Sequence, residues 1–149
     1  MNCLKLLLDL WNLKRNACKS AEVIKREQEK KLRAVLRYAY DHSAYYRHAF
    51  EATGIKGGMV ETVPIGAFPA LEKETLLARF DELITVPGLT QDRLRQFDAQ
   101  TETSRKPYQG KYHVVYSSGS TGKPGYFLYD KKAWGSMLAG IVRAALWDM

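Results

Sequence analysis

The chain has 149 residues, of which 46% are hydrophobic, and it carries a formal net charge of +7. This length suits one domain, and the apolar content is too high for a disordered chain. The two cysteines, Cys3 and Cys18, make neither a disulfide framework nor a Cys-x-x-Cys metal pair. No apolar run approaches the roughly 18 residues of a transmembrane helix, and Asp9 interrupts the first run too early for a signal peptide. We therefore expect a cytoplasmic protein without a transmembrane segment.

The positive charge is concentrated in residues 1–50, which hold 11 Lys and Arg against 5 Asp and Glu. Such a segment indicates either an acidic partner, such as nucleic acid or an anionic membrane, or a solvated helix face. Glu27 and Lys31 favour the solvated face, because their spacing of four residues is that of a helical ion pair.

Aromatic residues are frequent in part of this basic segment: Tyr38, Tyr40, Tyr45, Tyr46 and Phe50. Interleaved with Arg37, Arg47 and His48, such rings can stack on nucleic-acid bases. Aromatics at helical spacing more often belong to a core, and this is the interpretation that we favour.

In chain order, apolar spacing first predicts an amphipathic helix over residues 3–17. Ser20 is placed to cap a second helix that extends to about His42, and Ser43 is placed to cap a third over Ala44–Ala52, with Gly54 after its end. The predicted apolar stripe of the second helix consists of Val23, Ile24, Leu32, Val35, Leu36 and Ala39.

Glycine and proline are dense over residues 53–71, which predicts a loop. The pattern then predicts a helix from about Glu72 to Phe80, a short extended segment over Leu83–Val86, and a helix over Gln91–Ala99 capped by Thr90. Residues 100–110 are polar and irregular.

The last forty residues change in character, because β-branched and aromatic residues become frequent. They predict strands over Tyr112–Tyr116 and Tyr126–Tyr129, and Asp130 can cap a helix that begins at Lys131. We therefore expect an α/β fold: a single partial domain over residues 1–149, mostly helical over 1–100, with strand, loop, strand and helix over 111–147.

The loop between the two strands is Ser117-Ser118-Gly119-Ser120-Thr121-Gly122-Lys123-Pro124. Glycines let backbone N–H groups approach oxygen atoms, hydroxyls donate to phosphate oxygens, and lysine adds a compact positive charge. The loop is not a Walker A loop, since only two residues separate Gly119 from Gly122 and a strand rather than a helix follows. Its composition indicates an anion-binding loop, and a plain flexible hairpin loop is the alternative.

With this loop the chain resembles the adenylate-forming superfamily, the AMP-forming acyl-CoA synthetases and ligases. It looks similar in particular to the phenylacetate–CoA ligase branch and its relatives in capsular polysaccharide biosynthesis. Residues 32–47, 68–74 and 80–83 share this likeness, so that the resemblance covers about residues 30–147.

The resemblance implies a reaction in two steps, with Mg²⁺ normally sharing the phosphate charge. A carboxylate attacks the α-phosphate of ATP to give an acyl-adenylate and pyrophosphate, and a thiol, usually of coenzyme A, then takes the acyl group. It implies that Ser118, Ser120, Thr121 and Lys123 contact the β- and γ-phosphates. Gly119 and Gly122 would provide backbone freedom, and Ser117 would lie at the strand end.

The family's remaining motifs are absent: the Tyr-Gly-x-Thr-Glu segment whose Glu would hold Mg²⁺, a later Asp for the ribose, and a C-terminal lysine for adenylation. We therefore expect an incomplete N-terminal lobe of such a ligase, with no catalytic or metal-binding residue of its own and no activity alone. Its partners would be ATP and a small carboxylic acid, not nucleic acid.

Two alternatives remain open. The chain could be a small basic module that binds nucleic acid or an anionic membrane through residues 1–50, or a nucleotide-responsive regulator that has lost catalysis. Self-association is also expected, since an incomplete sheet exposes an edge and an apolar face.

Overall fold

The computed structural model describes residues 3–100, 106–117 and 125–147. This part of the chain is mostly helical and contains one two-stranded antiparallel sheet, which is compatible with a mixed α/β class. The elements are α1 (Cys3–Ala17), α2 (Ala21–His42), α3 (Ala44–Ala52), α4 (Lys73–Ala78), α5 (Phe80–Leu83), α6 (Gln91–Asp98), β1 (His113–Tyr116), β2 (Tyr126–Tyr129) and α7 (Lys131–Trp147).

Side-chain caps begin four of the helices, and all four were predicted from the sequence. In each case an oxygen of the capping side chain accepts a hydrogen bond from the backbone N–H three residues later, one of the donors that a helix start leaves unpaired. The pairs are Ser20–Val23, Ser43–Tyr46, Thr90–Arg93 and Asp130–Ala133. The predicted start of each of these helices is therefore confirmed.

A first core cluster forms where α3 meets the glycine-rich segment that follows it. Phe50, Ile55 and Val60 are buried, and Tyr40 and Tyr46 pack against them. For these residues the interpretation of the aromatic stretch as core is confirmed.

A second cluster joins α5 and α6 to the hairpin. Its buried members are Phe80, Leu89, Leu94, Tyr108 and Tyr126, and Val114 and Leu128 pack on them. On the other face of the hairpin, the His113 and Tyr129 rings contact Trp134 of α7, with centroids 4.4 and 6.0 Å away. Because successive side chains of a strand point to opposite faces, α7 lies on one face of the hairpin and the second cluster lies on the other.

Two predictions over residues 72–86 are wrong. The predicted single helix is interrupted at Arg79, and a second helix, α5, follows it. No strand forms over residues 83–86, because Leu83 ends α5. Phe80 and Leu83 are both buried, and their spacing of three residues places them on the same side of a helical turn.

The predicted stripe of α2 is also only partly correct. Val23 and Val35 are 40% and 65% exposed, and α2 has no fully buried residue. Leu36 and Tyr40 are the residues of α2 that pack against the first cluster, whereas Val23 and Val35 follow the same apolar period and still face solvent. Tyr112, predicted as part of the first strand, lies just before β1 and bridges to Tyr108.

Candidate functional site

The candidate site is the end of the β1–β2 hairpin. The strands pair in antiparallel register, with His113 opposite Tyr129 and Tyr116 opposite Tyr126. This register brings residues 117 and 125 to the same end of the sheet, as the sequence pattern of strand, loop and strand predicts.

Two hydrogen bonds close the base of the loop. The Ser117 N–H donates to the Gly125 carbonyl oxygen at 3.1 Å, and the Gly125 N–H donates to the Ser117 Oγ at 3.0 Å. The two residues that flank the segment 118–124 are therefore joined to each other by both of these hydrogen bonds. Ser117 directly follows the last residue of β1, where the resemblance implied that it would lie, but the sequence did not indicate its hydrogen bonds to Gly125.

The base of the loop lies near one side chain of α4. Gly125 is buried, and a side-chain carbon built there would lie 3.8 Å from Cδ2 of Leu77 in α4 and 3.6 Å from the Ser117 Oγ. These are ordinary van der Waals distances, so the position has room for alanine. The Leu77 side chain of α4 therefore lies near Gly125, at the base of the loop.

The other predicted phosphate-binding residues lie outside the described residues: Ser118, Gly119, Ser120, Thr121, Gly122 and Lys123. Of the predicted phosphate-binding residues the structure describes only Ser117, which it brings together with Gly125. The roles of the six remaining residues stay predictions.

Two tyrosine side chains lie next to the loop, at the ends of the paired strands. The rings of Tyr116 and Tyr126 lie 6.5 Å apart, the first exposed and the second buried. Burial raises the pKa of the Tyr126 phenol, and the nearby Asp98 carboxylate adds to this increase. Tyr126 therefore remains a neutral hydroxyl at physiological pH.

Within residues 3–100, 106–117 and 125–147, no three His, Cys, Asp or Glu side chains lie together as potential metal ligands. None of the helices in these ranges has the length and apolarity that crossing a bilayer requires. Cys18 is exposed and forms no disulfide.

The basic and aromatic stretch forms a different surface, a groove of about 450 Å³ along α2. Tyr38 is exposed there, but its ring stacks on His42 at 4.1 Å. The Arg37 guanidinium donates to the Asp41 carboxylate and to the Gly57 carbonyl oxygen, both at 2.9 Å. Arg37 and Tyr38 of this groove therefore have partners within the chain.

Comparison of the chain with known protein families, with curated proteins and with solved structures gives no match.

Proposed function

We propose that the chain is the N-terminal portion of an ATP-dependent, AMP-forming carboxylate ligase and that its hairpin loop binds the β- and γ-phosphates of ATP. The observation that carries the proposal is the loop itself: Ser117 to Lys123, rich in hydroxyls and glycine, between two paired strands. The acyl group would then pass from the adenylate to a thiol, with coenzyme A as the acceptor.

The closed base of the loop supports this proposal. A segment fixed at Ser117 and Gly125 can present successive N–H groups and hydroxyls to one anion without separating the strands. The ammonium of Lys123 would add the charge that a triphosphate requires.

Mg²⁺ accompanies ATP in this chemistry, but the described residues do not fit a site for it. They contain no group of three or more His, Cys, Asp or Glu side chains in reach of one ion. We therefore assign no metal ligand to this part of the chain, and its proposed role is limited to holding phosphate oxygens.

The proposal is tested by titrating the ¹⁵N-labelled chain with ATP, and separately with inorganic tripolyphosphate, while amide resonances are followed. The expected shifts cluster at residues 117–125 with both ligands, because the loop binds phosphate rather than the base. Lys123→Ala should weaken binding about tenfold, since it removes a hydrogen bond to a charged group.

Lys132→Ala is the matched control, because Lys132 is an exposed lysine of α7 beyond the far end of β2. It should leave binding unchanged. Shifts confined to the groove along α2, or equal effects of the two substitutions, would contradict the proposal. The chain alone should also show no ATP–pyrophosphate exchange, and clear exchange would show that it is not an incomplete ligase.

A further inference from the structure

Helix α1 presents an apolar face that the rest of the described chain does not cover. Leu7, Leu8 and Trp11 are 58%, 54% and 56% exposed. Leu6 and Leu10 on the other side are half-buried, and α1 contacts α7. Single exposed apolar residues are normal, but three large ones in neighbouring turns form a patch that indicates an interaction site.

The patch continues onto α7. A groove of about 330 Å³ is lined by Leu10, Trp11 and Lys14 of α1 together with Leu146 of α7. Leu146 is itself 55% exposed. The apolar surface therefore spans two helices and does not depend on α1 alone.

Two cations lie on the same side of α1, one turn beyond the apolar residues. Lys14 and Arg15 are exposed, and the Arg15 guanidinium carbon lies 5.1 Å from the centre of the Trp11 ring. Residues 7, 8, 11, 14 and 15 follow the spacing of one helix face. Asp9 lies on the opposite side and is half-buried, so the charged residues that the structure describes on this face of α1 are both positive. We call these five residues and Leu146 the α1/α7 face.

We propose that the α1/α7 face docks the chain on the surface of a membrane that contains anionic phospholipids. Leucine and tryptophan side chains enter the boundary between headgroups and acyl chains, while the long stems of lysine and arginine bring their charges to the lipid phosphates. Charge complementarity decides the occupant. A second copy of the chain would place Lys14 and Arg15 against an equally positive surface, and nucleic acid offers no apolar layer for three large side chains.

The experiment is flotation of the full chain with vesicles of phosphatidylcholine and phosphatidylserine, compared with vesicles of phosphatidylcholine alone. The chain should float with the anionic vesicles only, and less so as salt rises. The double substitution Leu8→Ser, Trp11→Ser should weaken this binding about a hundredfold through loss of inserted apolar surface. Lys14→Ser with Arg15→Ser should weaken it about thirtyfold, roughly fivefold for each cation.

Each double variant has a matched control on α2 or in the segment that follows α3. Lys25→Ser with Arg26→Ser removes two exposed cations elsewhere, and Val35→Ser with Ile65→Ser removes two exposed apolar residues. Both should retain nearly full binding, and circular dichroism confirms that all four variants are folded.

Three outcomes would overturn the proposal. Equal flotation of all variants would show that the chain binds vesicles through its net charge and not through the α1/α7 face. Absence of flotation of the native chain would show that the face does not bind a membrane. Conversion of a dimer into a monomer by Leu8→Ser, Trp11→Ser, without vesicle binding by the native chain, would assign the face to a second copy. The result does not depend on the hairpin loop, so it leaves the proposed ATP site untouched.

Discussion

Several arginines of this basic chain act as hydrogen-bond donors to backbone carbonyl groups. Arg33 donates to the Val63 carbonyl oxygen at 2.5 Å and to that of Val60 at 3.3 Å. Arg47 donates to the carbonyl oxygens of Tyr40 and Asp41. A planar guanidinium serves two acceptors at once, so that these side chains hold loops and helix ends in place. Part of the positive charge of residues 1–50 therefore has a structural role that does not require an acidic partner.

The Arg79–Glu82 pair gives a prediction on pH. The two side chains form a bidentate ion pair, with Nε and Oε1 2.9 Å apart, and Arg79 also lies 4.8 Å from the centre of the Tyr45 ring. The hydrogen bonds from Arg79 lower the pKa of Glu82 below its ordinary value of 4.5. The stability that this carboxylate contributes is therefore present above pH 4.5 and is lost as the pH falls through the lower value of the folded state.

We expect Glu82→Gln to lower the urea midpoint at neutral pH, by a small amount because the pair is half-exposed. The difference from the native chain should vanish in acid, where both chains carry a neutral side chain at position 82. Glu74→Gln, at an exposed site of α4, is the control. A difference that persists unchanged at low pH would show that the carboxylate charge is not its cause.

At the scale of elements, Ser43 joins three helices. It ends α2, where its N–H donates to the Ala39 carbonyl oxygen, and its Oγ caps α3 by accepting the Tyr46 N–H. The same hydroxyl donates to the Glu82 carbonyl oxygen of α5 at 2.9 Å, and Ser43 is fully buried. The capping role was predicted from the sequence, but the bond to a residue 39 positions away was not.

Ser43→Ala should lower the free energy of unfolding by about 2–3 kcal/mol, since it removes a cap and also the hydroxyl that donates to the partly buried Glu82 carbonyl oxygen. Ser20→Ala is the matched control: it removes an exposed cap of α2 and should cost about 1 kcal/mol. Chemical denaturation measures both values. Equal losses for the two variants would show that the bond to Glu82 contributes nothing.

At the scale of the whole molecule, the described sheet has no central strand. Its two strands pair only with each other, so each leaves one row of backbone N–H and C=O groups free of a neighbouring strand. Tyr116 and Phe127 are 56% and 44% exposed on these strands. An open edge beside exposed aromatic residues favours pairing with another strand.

We therefore expect concentration-dependent self-association of the chain, measured by light scattering after size-exclusion chromatography. Phe127→Lys should shift the distribution towards monomer, because lysine on an edge strand disfavours pairing. Ile65→Lys, at a similarly exposed apolar residue outside the sheet, should not. A monodisperse monomer at every concentration would contradict this prediction.

The sequence by itself determined most of the helix starts, both strands and the position of the loop between them. These features depend on residues that are close together in the sequence. A helix start needs a capping oxygen three residues before a backbone N–H, and a strand is favoured by consecutive β-branched and aromatic residues. The loop was found for the same reason, since its eight residues are contiguous.

Only the tertiary structure decided which side of a helix is covered and which distant groups meet. Val35 follows the apolar period of α2 and is exposed, and Leu8 and Trp11 of α1 are also more than half exposed. The bonds of Ser43 to Glu82 and of Gly125 to Ser117 likewise join groups that their own segments do not specify. The apolar period of a helix predicts which of its faces is apolar, but whether that face is buried depends on which distant segments of the chain pack against it.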